Sequence, residues 1–231
     1  MLDRIGYGLA ARAAGGASID PQALAFDYPG GRVDLLVARL ETAPRDLSPA
    51  RVALAQRLVA HRTGTSADKL VIGHTEDGAP RLAQPRLPLS LSLAGRDDVI
   101  AAAVAERPVG VDIEIIGRPI APPLHVLHPA ERAALAMAGG DAHEYFLHLW
   151  TAKEAYVKAI ETGLSREPAE IEIRFDGVGR SWTSAQECAS ALVVIDRGRE
   201  VAMAFARAGR ISVGGRPSIL ACAVLLEPAV P

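Results

Sequence analysis

Val109-Gly110-Val111-Asp112-Ile113-Glu114-Ile115 places apolar residues at its odd positions, with Asp112 and Glu114 at even ones. That period of two is a strand's, and it projects Asp112 and Glu114 from one face. The plainest interpretation is a half-exposed strand with two solvated acids. Like charges on one face repel, however, and nothing within the strand neutralises them, whereas a bound cation would. Immediately upstream, Val99–Ala105 (VIAAAVA) is an apolar run typical of a buried strand, and 89–93 (LSLSL) reads as another. Turns at Gly95-Arg96-Asp97-Asp98 and Glu106-Arg107-Pro108 join the three, which predicts an antiparallel meander.

Working outward, 33–40 reads as a strand, and Ser48-Pro49 opens a helix with Ser48 as its cap. That helix runs through His61 and stops at Gly64, and 70–74 is a short strand. The Gly- and Ala-rich stretch 10–17 reads as a loose arm or a short helix end. Beyond a loop opened by Pro119, His128-Pro129-Ala130-Glu131 starts a helix that ends near Gly139-Gly140. Asp141 caps a longer helix reaching about Ile160, with Gly163 as its stop. Strands are expected at 170–175, 191–195, 200–206 and 218–226. The element order predicts an α+β fold of two similar halves, 1–108 and 109–231. Each is an antiparallel sheet packed with helices, and a ligand cleft lies between them.

The 231 residues are 49% hydrophobic with a formal net charge of −2, so a large core is available and nucleic acid is not an expected partner. Two cysteines, Cys188 and Cys222, are too few for a disulfide framework and fit a reducing cytoplasm. No apolar run is long enough for a membrane span, and the first residues lack a signal-peptide pattern. A cytoplasmic monomer is the expectation.

A second segment, Trp150-Thr151-Ala152-Lys153-Glu154-Ala155-Tyr156-Val157-Lys158, has helical character. It sets Glu154 and Lys158 one turn apart on one side. As an ordinary amphipathic helix, it gains only a few tenths of a kcal/mol from that pair. Taken with Asp112 and Glu114, it offers a third carboxylate suited to a hard divalent cation and lysines suited to phosphate. Lys153 points about a quarter-turn away from Glu154, and Trp150 reads as packing.

These two segments resemble the signatures of the surfactin-type 4′-phosphopantetheinyl transferases, G-[IV]-D-I-E and W-x-x-K-E-[AS]-x-x-K, which stand here as GVDIE and WTAKEAYVK. Pro129-Ala130-Glu131, Tyr145-Phe146-Leu147-His148-Leu149 and Gly163-Leu164-Ser165 extend the likeness. The resemblance implies an enzyme that moves the phosphopantetheine arm of coenzyme A to a serine of an acyl or peptidyl carrier protein. Adenosine 3′,5′-bisphosphate is the other product. It further implies that Asp112, Glu114 and Glu154 hold magnesium, with manganese as the alternative. Glu154 would take the serine proton, and Lys158 would offset charge on the phosphate. Arg51, Ser92, Asp112 and Lys158 would contact coenzyme A.

The chain also departs from that family. A customary G-K-P is Gly78-Ala79-Pro80, and a customary histidine is replaced by Leu93 in Ser90-Leu91-Ser92-Leu93-Ala94. Two groups that meet the nucleotide end of coenzyme A are therefore missing. Arg81, Arg86 and Arg96 are candidate replacements. The alternative is a weakened member serving as a carrier-protein or nucleotide-binding module. Other signals are weak: His125, His128, His143 and His148 lack zinc-site spacing. Gly214-Gly215-Arg216-Pro217 and Arg197-Gly198-Arg199 read as turns.

Overall fold

The computed structural model describes residues 11–12, 18–28, 31–117, 123–161, 166–175, 188–196, 199–211 and 219–226. The expected loop start at Pro119, helix stop at Gly163, and turns at Arg197-Gly198 and 214–217 lie outside them.

The protein is α+β, with two antiparallel sheets and three α-helices among the described residues. The first sheet holds β1 (Ala11–Arg12), β2 (Ser18–Tyr28), β3 (Gly31–Leu40), β4 (Val71–His74), β5 (Pro80–Gln84), β6 (Ser90–Arg96) and β7 (Val99–Ala105), in the order β1-β2-β3-β7-β6-β5-β4. Helix α1 (Ser48–Thr63) connects β3 to the β4 edge. The second sheet holds β8 (Val109–Ile115), β9 (Ile171–Phe175), β10 (Cys188–Asp196), β11 (Arg199–Ile211) and β12 (Ile219–Leu226), in the order β8-β12-β11-β10-β9. Helices α2 (Pro129–Met137) and α3 (Ala142–Ala159) lie between β8 and β9 in sequence.

The expected three-strand meander does not form. β6 pairs with β7, but β3 already occupies the other edge of β7. The chain leaving β7 has no edge to join, and β8 pairs instead with β12, Asp112 opposite Cys222. Three further differences are local. The stretch read as an arm contributes β1 and leads into β2, whose composition hides its alternation. β5 starts on Pro80, a position where the missing N–H does no harm. Ser48 is the first residue of α1 rather than its side-chain cap; Asp46 Oδ1 accepts the Ser48 N–H at 2.8 Å.

Period-two alternation explains the layering. The inward residues of β3 and β7 are Val33, Leu35, Val37, Ala101, Ala103 and Ala105, which meet Val109, Val111, Ile113, Ala221, Ala223 and Leu225 of the second sheet. Outward residues of the first sheet, Leu36, Ala38, Ile100, Ala102 and Val104, cover Leu54, Leu58 and Val59 of α1. Outward residues of the second sheet, Leu220, Cys222, Val224, Ile171 and Ile173, cover Leu149, Ala152, Ala155 and Tyr156 of α3. The two sheets thus stack face to face, with a helix on each outer side. Two serines of β6 tie the sheets: Ser90 Oγ accepts the Val109 N–H at 3.2 Å and Ser92 Oγ accepts the Val111 N–H at 2.9 Å. β8 is the end strand of its sheet, so these hydroxyls satisfy donors that an edge would leave bare.

Candidate active site

Helix α3 crosses β8 at Gly110. A Cβ on that residue would stand 1.8 Å from the Ala155 carbonyl oxygen, so only glycine permits this approach. The crossing fixes the register of α3 over the strand. Lys158 Nζ donates to Asp112 Oδ1 at 2.7 Å and to the Val111 carbonyl at 3.1 Å. Glu114 meets the Arg96 guanidinium at 3.4 Å and accepts a hydrogen bond from Trp150. The Trp150 ring is stacked with Phe146, centroids 6.4 Å apart and planes within 9°. The strand itself supplies no counter-charge to its two acids; β6 and α3 do.

Burial pushes the Asp112 carboxyl above its usual range, with Lys158 opposing. Burial also raises Glu114; Asp112 and Glu154 add to the rise, while Arg96 and Trp150 oppose it. Glu154 is raised by burial and by Asp112, against Lys158. All three carboxylates therefore lie in one electrostatic neighbourhood that is short of positive charge. Among the described residues, no three His, Cys, Asp or Glu side chains are grouped so as to hold a metal ion. The three acids share a field without closing into a cage.

A cleft of about 470 Å³ runs past this point, walled by elements of both halves. Arg51 and Ser92 line it from the first half, Glu154 and Lys158 from α3. Asp112 and Glu114 are not on its wall and reach it through their partners Lys158 and Trp150, which are. The Ser92 hydroxyl already accepts the Val111 N–H, so its own O–H is the part left to donate. Of the three candidate replacement arginines, none lines the cleft, and Arg96 is turned to Glu114. Ala79 and Leu93 do line it.

Sequence reasoning passed over His74 and Arg166 and assigned Trp150 to packing, yet all three stand on the cleft wall. Trp150 was legible as a wall residue: it stands one helical turn before Glu154. His74 ends β4 opposite Pro80, a pairing invisible without β5. Arg166 is held by Asp196, which also accepts from the Tyr156 hydroxyl at 3.0 Å.

Lys153 faces away from the cleft and is fully buried. Its ammonium lies 2.7 Å from Glu131 Oε2 and donates to the carbonyls of Val126, Pro168 and Ile171. Burial pulls it below the usual lysine range, and Glu131 and Glu172 oppose that. Glu131 also accepts the N–H groups of His128 and Ile173, both at 2.8 Å. This network fastens the segment at Pro168, which lines the cleft, to the base of α3.

Among the described residues, no helix is long and apolar enough to cross a membrane. No curated protein matches the chain. Residues 108–206, which contain β8, α2, α3 and both signature segments, match the family model of the 4′-phosphopantetheinyl transferase superfamily.

Proposed function

We propose that the protein is a surfactin-type 4′-phosphopantetheinyl transferase that loads a serine of an acyl or peptidyl carrier protein from coenzyme A. The observation that carries this reading is the pairing of Lys158 with Asp112 beside Glu154, on a cleft walled by both halves of one chain. Two halves in one chain support the surfactin-type class and a monomer; a cytoplasmic location goes with the substrates.

In the reaction, the carrier's serine oxygen forms a bond to the phosphorus that bears the pantetheine arm. The bond from that phosphorus to the bridging oxygen breaks, and adenosine 3′,5′-bisphosphate leaves with the electron pair. Glu154, on the cleft wall and raised by burial, is the group to accept the serine proton. Lys158 offsets charge on the phosphate oxygens, and Arg51 contacts the nucleotide portion. Asp112, Glu114 and Glu154 are hard oxygen donors whose ionised forms the site disfavours without added positive charge; by donor chemistry, though not as a closed cage, they suit magnesium, or manganese. When bound, the metal polarises the phosphate and neutralises its charge.

A second reading, a binding module with weak turnover, draws on the apolar Ala79 and Leu93 in the cleft wall. The test is to incubate the protein with coenzyme A, magnesium and a panel of apo carrier proteins and to weigh the carriers. Gain of one phosphopantetheine mass is expected. No gain on any carrier, with coenzyme A still bound, favours the module.

A further inference from the structure

Arg166 stands on the cleft wall with its side chain only 15% exposed, so what it meets there is a small ligand rather than a protein surface. Its Nη2 donates to Asp196 Oδ2, and that same oxygen accepts from the Tyr156 hydroxyl. Tyr156 is buried and lies between Glu154 and Lys158 in the sequence of α3. The cleft arginine is thus tied, through Asp196 at the end of β10, to the helix that carries two groups assigned to the reaction. Arg166 Nε and Asp196 Oδ1 are both buried without a hydrogen-bond partner among the described residues, so the fork is not closed on the carboxylate. An arginine whose whole duty is to brace a strand would close it with two parallel bonds. The chain just beyond is fixed as well, because the Pro168 carbonyl accepts from Lys153 at 2.7 Å.

A guanidinium fixed in this way loses little side-chain freedom when an anion arrives. Its planar fork matches carboxylate and phosphate, and coenzyme A offers phosphate. Glu161 and Glu167 line the same wall, but both are exposed and water screens their repulsion. Arg51 faces the cleft from the first half and Arg166 from the second, so a ligand lying between the halves meets a guanidinium on either side. We infer that Arg166 is a substrate contact that binds a phosphate group of coenzyme A, with Asp196 and Tyr156 as the positioning residues that aim it. Coenzyme A carries two such groups, the diphosphate and the ribose 3′-phosphate, which the experiment below separates. The inference rests on the transferase reading above and deepens it.

The test measures dissociation constants of coenzyme A and 3′-dephospho-coenzyme A by titration calorimetry, with the full chain and magnesium. Arg166→Gln should weaken coenzyme A binding about tenfold or more, the effect of one charge-assisted contact. An equal loss on both nucleotides puts Arg166 on the diphosphate; a loss on coenzyme A alone puts it on the 3′-phosphate. Unchanged affinity for both overturns the inference, whatever happens to the melting temperature. If Arg166→Gln does not fold, Arg166→Lys keeps a cation for Asp196. It should still weaken coenzyme A at least about threefold, because a single ammonium lacks the fork that reaches carboxylate and phosphate together. Parental affinity in that variant overturns the inference equally. Tyr156→Phe removes only the hydroxyl, and should weaken coenzyme A about threefold in the parent and not at all beside the Arg166 variant. The same effect in both backgrounds would show a purely structural hydroxyl and overturn the positioning. A parent that binds coenzyme A without transferring its arm sinks the transferase reading alone, and the ratios of dissociation constants still decide the role of Arg166; a parent that binds neither nucleotide sinks both.

Discussion

The Lys158 ammonium bridges the Asp112 carboxylate, at 2.7 Å, and the carbonyl of the residue before it, at 3.1 Å. Asp112 is buried while Lys158 is only partly so, and the lysine is what makes an ionised acid tolerable there. Lys158→Met should therefore destabilise the fold by about 1–3 kcal/mol, and adding Asp112→Asn should return most of that loss while leaving transfer abolished. Chemical denaturation of the single and double variants measures it. A double variant as unstable as the sum of its singles would show that the pair is not coupled.

Glu154→Gln keeps shape and removes both the proton acceptor and one negative charge. Transfer should fall by at least about a hundredfold in kcat. The melting temperature should hold or rise, because burial disfavours the ionised form of this acid. Full activity in the variant would refute the assigned role.

Glu114 gives a pH-dependent signature. Its carboxyl sits above the ordinary 4.5 in the folded state, chiefly through burial. Between the unfolded and folded values the native protein holds more protons than the unfolded one, so stability falls as pH rises through that window. The full penalty is present above it. In chelator-treated protein, Glu114→Gln should gain melting temperature over the parent at about pH 8 and lose that advantage by about pH 4. An advantage independent of pH would show that the effect is not ionisation. Magnesium should raise the melting temperature of the parent more than that of the variant.

Gly110→Ala should separate α3 from β8, since the added carbon has no room beside the Ala155 carbonyl. A loss of about 3 kcal/mol or more, or failure to fold, is expected in thermal and denaturant melts. A variant of parental stability would mean that the helix can lift without cost.

Lys153→Met strips four oxygens of their common cation, including the Glu131 carboxylate. A loss of about 3–5 kcal/mol is expected, with coenzyme A affinity retained by whatever fraction remains folded. Affinity lost in a fully stable variant would instead place Lys153 on the ligand.

The alternation in GVDIE and the helical spacing of WTAKEAYVK are local properties, which is why the element types around the acids were legible. Their counter-ions were not. Arg96 reaches Glu114 from another sheet, and that meeting depends on how β6 stacks over β8. The departure of β8 from the expected meander has the same cause: it follows from β3 occupying the second edge of β7, a pairing between segments far apart in sequence. Trp150 looked like packing and is so on its Phe146 side, yet its indole also serves Glu114. Ser92 was picked out by resemblance as a ligand contact. Its bond to Val111 could be known only once the two sheets were placed face to face.

Val111 has its N–H on Ser92 and its carbonyl on Lys158, so a single peptide segment is clasped by β6 and α3 at once. The halves of the molecule cannot part like jaws at this point without surrendering the alignment of the neighbouring Asp112.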